Sequence, residues 1–243
     1  MRMRNSLIRT VVFPVLFFVT GLGVAFGQQP QTSALQKPVK HMTVAFVVSE
    51  RFNMIDFAGP WKVFGDAAIV PKGKPWQDGE RLFTRYTVSD SMQPIKSGGN
   101  GGVVLIPAYT FADAPKPDIV VIGAQDSNSP ALLEWLRKLN GEGATIMSVC
   151  VGAGKLARAG LLDNLSATTH HEYLEGYRED FPKTKWQSNK RYVRSTETVY
   201  TAGGLTSGID LALHLVDKYF GNAVAQGTAD YMEYRSDGWK DKE

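Results

Sequence analysis

Apolar positions along the chain follow two rhythms. Short, nearly unbroken runs at Met42 to Ser49 (MTVAFVVS), Asp118 to Gly123 (DIVVIG) and Ala144 to Val149 (ATIMSV) have the character of strands buried on both faces. Between them lie stretches with helical spacing: Ala58 to Val70, with Pro60 near its start, Ser129 to Leu139, Gly152 to Leu162, Glu172 to Asp180 and Ser207 to Phe220. Ser129 followed by Pro130 reads as an N-cap with proline at the first helical position. Leu82 to Ser89 alternates as a strand. The glycine-rich turn SGGNGG and a short strand VVLIP follow it, and Arg191 to Ala202 reads as a strand pair turning near Glu197.

Strands alternating with helices, several of them apolar throughout, predict one α/β domain. The expected architecture is a three-layer sandwich with a mainly parallel, flavodoxin-like central sheet. Its boundaries are read as 42–222, with a charged tail at 223–243 too short for a helix-turn-helix module.

The first 41 residues break the pattern. Arg2, Arg4 and Arg9 precede an apolar stretch from Val11 to Phe26, and small residues stand at Ala25 and Gly27. Residues 1–27 therefore read as a secretory signal peptide, and 28–41, with Pro30 and Pro38, as a linker. The apolar stretch is short of the roughly 20 residues a membrane span needs. Three of the 27 basic residues and none of the 24 acidic ones fall in the leader, so the remaining chain is formally neutral. That balance gives no argument for nucleic-acid binding. The expected location is periplasmic or secreted, with no membrane attachment after cleavage; the alternative is a leader kept uncleaved as an N-terminal anchor.

Export sharpens the meaning of Cys150, the only cysteine in the chain. A lone thiol in an oxidising compartment is either buried or kept for its chemistry. Cys150 stands where the strand ATIMSV ends and a helix begins, and Ser148-x-Cys150-x-Gly152 has the spacing of a nucleophile elbow. A helix start beside the sulfur would favour thiolate over thiol. The alternative is a small apolar core residue that contains sulfur.

At these residues the chain resembles a family. SVCVGAGKLARAGLLDN followed by SATTHH is similar to the ThiJ/PfpI superfamily, related to class I glutamine amidotransferases. The likeness is nearest to its isonitrile-hydratase branch and to the amidase-like domain of AraC-type regulators. VAFVV with FNMIDFAGPWKVF, the strand DIVVIGA, and TAGGLTSGIDLAL match further motifs in the same order. The resemblance implies that Cys150 is the elbow nucleophile and Asp56 the acid/base beside it. It implies that backbone N–H groups of Gly123, Ala124 and Val151 form an oxyanion site. His170 is then either a partner of the cysteine or a packing residue beneath it. Neighbouring His171 gives no metal site, because adjacent side chains diverge and no third ligand is evident. Val151 departs from the family pattern, which places histidine or threonine after the cysteine.

The function expected is cysteine-dependent addition of water to a small nitrile, isonitrile, amide or carbonyl compound, with no cofactor. The alternatives are a non-catalytic ligand-binding or redox-sensing domain like that of AraC-type regulators, or thiol-based protection. The expected partners are a small molecule and a second copy of the chain.

Overall fold

A computed structural model of the chain describes residues 40–99 and 102–240. The signal-peptide reading, nearly all of the linker, the tip of the glycine-rich turn and the last three residues lie outside the described residues. The central strands are β1 (Met42–Val47), β2 (Phe83–Ser89), β3 (Tyr109–Thr110), β4 (Ile119–Ile122), β5 (Thr145–Ser148), β6 (Tyr192–Arg194) and β7 (Val199–Ala202). They form one sheet in the order β6-β7-β5-β4-β1-β2-β3. Every pairing is parallel except β6 with β7.

The apolar runs divide residue by residue between the two faces, as the period of two in a strand requires. Val44, Phe46, Ile119 and Val121 pack with Val63, Phe64, Leu211 and Leu215 from helices α1 (Met54–Asp66) and α5 (Ser207–Phe220). Ala45, Val47, Val120 and Ile122 pack with Leu132, Leu136, Leu156 and Leu174 from α2 (Pro130–Gly141), α3 (Ala153–Arg158) and α4 (Leu174–Asp180). The expected three-layer α/β sandwich is thus present.

Register decides where chemistry can sit. Val47 pairs with Ile122, Ile122 with Ser148, and Thr201 with Ser148, so four strands end in one row. From β1 the chain crosses to β2 on one side and later returns to β4 on the other, which makes the β1/β4 edge the switch point where ligands gather.

Three local expectations are corrected. Helix α1 begins at Met54 rather than Ala58, because Asn53 Oδ1 accepts the N–H groups of Ile55 and Asp56 and caps it earlier. Pro60 consequently lies inside the helix instead of in its first turn. VVLIP supplies only Val104–Leu105, paired with Ile95–Lys96 in a separate hairpin. The stretch read as a charged tail carries helix α6 (Asn222–Tyr231) and the buried Trp239.

Asp210 ties this last segment down. Its fully buried carboxylate accepts from Arg191 Nε at 2.6 Å, Tyr234 at 3.0 Å and Ser236 at 3.2 Å. A buried carboxylate is tolerable only with such company. Asp210→Ala strands three donors and should cost about 3 kcal/mol of stability, measured by urea unfolding; an unchanged midpoint would show that the tail docks without it.

Candidate active site

Cys150 follows β5 by one residue and holds φ at +57°, a left-handed backbone that non-glycine residues adopt at a cost. Its conformation is held from three sides. Its N–H donates to Gly203 O at 2.8 Å, its carbonyl accepts from the Thr169 hydroxyl at 2.9 Å, and the chain behind it turns through a 3₁₀ segment, Cys150–Gly152. A Cβ on Gly152 would stand 2.2 Å from the Ile122 carbonyl oxygen, so the elbow requires glycine two residues on. Gly154 is equally committed, since a Cβ there would meet the Tyr177 hydroxyl at 2.4 Å. That hydroxyl donates to Val151 O at 2.9 Å.

Asp56 arrives from the first turn of α1 and is 1 % exposed. Its Oδ2 accepts the Ala124 N–H at 3.0 Å, and a Cβ on Gly123 would lie 2.6 Å from Asp56 Cβ. Gly123 is thus the space that lets the carboxyl in. Asp56 Oδ1 is buried without a hydrogen-bond partner among the described residues, and the carboxyl also meets the Cys150 thiol.

Burial pushes the Asp56 carboxyl up to about 6, against the Ala124 N–H and the thiol contact, which pull it down. Burial also pushes the Cys150 thiol up to about 12, with the Asp56 charge adding to the rise. The N–H groups of Val151 and Leu205 oppose that rise without overcoming it. The expectation of a resting thiolate is therefore corrected. Helix α3 spans only six residues, and its start cannot offset desolvation of the sulfur. In the resting site the proton sits on sulfur and the charge on Asp56.

The backbone donors differ from the expected set in detail. The Ala124 N–H is engaged by Asp56, while that of Val151 is directed at sulfur. Leu205 adds a donor that the sequence reading missed. Its φ of +50° in the loop Gly203-Gly-Leu-Thr-Ser207 brings its N–H to the thiol. The only signal was a leucine between glycines and a helix, which does not specify a left-handed residue.

His170 is near the elbow but is not joined to the thiol by a hydrogen bond among the described residues. Its Nδ1 accepts the Glu172 N–H at 3.3 Å, its ring stacks on His171 at 4.5 Å, and it covers Gly204, where a Cβ would meet it at 2.3 Å. It lines a cavity of about 530 Å³ walled also by Thr169, Lys190, Arg191, Leu205 and Thr206. Among the described residues, no group of three histidine, cysteine or acidic side chains could hold a metal ion.

The raised Asp56 pKa has a consequence for stability. The folded chain holds the Asp56 proton up to about pH 6, whereas an ordinary carboxyl releases it near 3.8. Stability must fall as pH rises between those values, by about 3 kcal/mol if the whole shift is expressed. Asp56→Asn should remove that slope and unfold at higher urea than wild type at pH 7, with the gap closing below pH 4. A parallel pair of pH profiles would show that the carboxyl is not desolvated.

The profile of the DJ-1/PfpI family matches residues 42–218. An isonitrile hydratase of Pseudomonas putida is 27 % identical over 198 residues, covering 79 % of this chain and 78 % of the hydratase. The helix-turn-helix transcriptional regulator GbdR of Pseudomonas aeruginosa is 26 % identical over 198 residues, and the chain matches half of its length. The crystal structure of a ThiJ/PfpI family protein from Pseudomonas syringae superposes with a TM-score of 0.68 at 22 % identity, over 88 % of this chain and 85 % of that one.

Proposed function

The chain belongs to the DJ-1/PfpI family, and on that premise we propose that it is a cysteine-dependent hydratase or amidase-like enzyme acting on a small nitrile, isonitrile, amide or carbonyl compound. The observation that supports this most strongly is the pairing of an elbow thiol with a buried carboxylate that, among the described residues, has no cation to neutralise it. A structural carboxylate is normally paired or exposed. Asp56 is neither.

For a carbon–nitrogen triple bond the steps follow from the geometry. Cys150 Sγ bonds to the electrophilic carbon while its proton passes to Asp56. That transfer also removes the carboxylate charge opposing the thiolate. Asp56 then delivers the proton to the substrate, giving a thioimidate. Water adds to its carbon as Asp56 takes a water proton, and collapse of the tetrahedral adduct breaks the C–S bond. The sulfur leaves as thiolate, supported by the N–H groups of Val151 and Leu205, and regains a proton from Asp56. Water is added overall and the thiol is restored, so the cycle needs no cofactor.

The second reading is a ligand-binding or sensing domain. The apolar Val151 side chain and the protonated thiol favour it, as does the similarity to a regulator. Export and self-association to a dimer are proposed on sequence grounds alone: the basic and apolar leader for the first, family resemblance for the second.

Turnover of small isonitriles, nitriles, amides or 2-oxoaldehydes should fall by about 10²-fold or more in both Cys150→Ser and Asp56→Asn. In wild type, kcat/KM should decline as pH drops through about 6, where Asp56 gains its proton. Turnover surviving both substitutions, or absent from every substrate class, sinks the enzyme reading. Val151→Thr supplies a hydroxyl at the position where the hydratase branch carries threonine and should raise isonitrile hydration; no increase argues against that substrate.

A further inference from the structure

Beyond that reading of Cys150, we infer that the cavity beside the elbow takes a small molecule bearing one carboxylate, held at Lys190 and Arg191. At about 530 Å³ the cavity falls within the range of small-molecule sites. Three of its wall residues touch Cys150 directly. Gly203 O accepts the Cys150 N–H, the Thr169 hydroxyl donates to Cys150 O, and the Leu205 N–H is directed at Sγ. A ligand in this space is therefore separated from the sulfur by the residues that position it.

The wall is electrically one-sided. Lys190, Arg191, His170 and His171 line it, and among the described residues no carboxylate does. The acidic groups that pair with its wall residues are placed elsewhere. Asp210 lies fully buried beneath Arg191, and Glu172, 71 % exposed, is turned to solvent 4.0 Å from His170 Nδ1.

Arg191 is partly used and partly free. Its Nε and Nη2 engage Asp210, and Nη2 reaches Thr206 Oγ1 at 3.3 Å, leaving Nη1 with no partner among the described residues. Asp210 thus holds the guanidinium rigid while two of its five N–H donors remain for a ligand. Lys190 is exposed and makes no ion pair among the described residues. Arg191 and Asp210 cancel in charge, so the cavity keeps one uncompensated positive charge from Lys190. That balance suits a singly charged carboxylate better than a doubly charged phosphate.

Calorimetric titration with N-acetylglycinate and its neutral amide tests the site. The anion should bind at least about tenfold more tightly than the amide, and that preference should vanish in Lys190→Glu. Equal binding of the two, binding of neither, or a preference that Lys190→Glu leaves unaltered overturns the inference. The titration reads binding and not turnover, so its failure is distinct from failure of the nucleophile reading.

Discussion

The left-handed backbone of Cys150 is the constraint around which the site is arranged. It persists because the Gly203 carbonyl, the Thr169 hydroxyl and the packing of Gly152 against the end of β4 hold it from different directions. Each of those partners arrives on a different segment, and the common row of strand ends brings the segments together. Strain at one residue is thereby supported by the whole carboxyl edge of the sheet.

The same enclosure sets the electrostatics. Removing water from Cys150 and Asp56 disfavours a charge on either, and their proximity disfavours a charge on both. The pair consequently rests with one proton, on sulfur, and any thiolate appears only as the proton moves to the carboxyl. Backbone donors from Val151 and Leu205 are already directed at the sulfur that would receive the charge. This arrangement differs from a permanently activated cysteine, whose reactivity comes from a nearby cation or a long helix start. It limits uncontrolled oxidation of a lone thiol, because the thiolate is the form that oxidises.

Much of this was legible in the chain. Continuous apolar runs identified β1, β4 and β5, since a strand covered on both faces has no polar side to alternate. Gly152 marked the elbow because that turn leaves no room for a side chain. Asp56 was legible as a partner only through family resemblance; by spacing alone it is a first-turn carboxylate, and it is that too. Pro60 points to a later start for α1 than the structure has, because Asn53 outranks it as a cap. The α6 segment was missed because its few apolar residues have meaning only against α5.

Residue order alone specifies the layered α/β class, the doubly buried strands β1, β4 and β5, and the position of a cysteine on a turn after a buried strand. These depend on local periodicity and on residues such as glycine whose steric demands are local. The protonation of Cys150, the engagement of the Ala124 N–H, the donor from Leu205 and the cavity at Lys190 and Arg191 were decided only by tertiary structure. Desolvation and proximity depend on which distant segments meet, and here segments up to 94 residues apart, Asp56 and Cys150, share one buried proton.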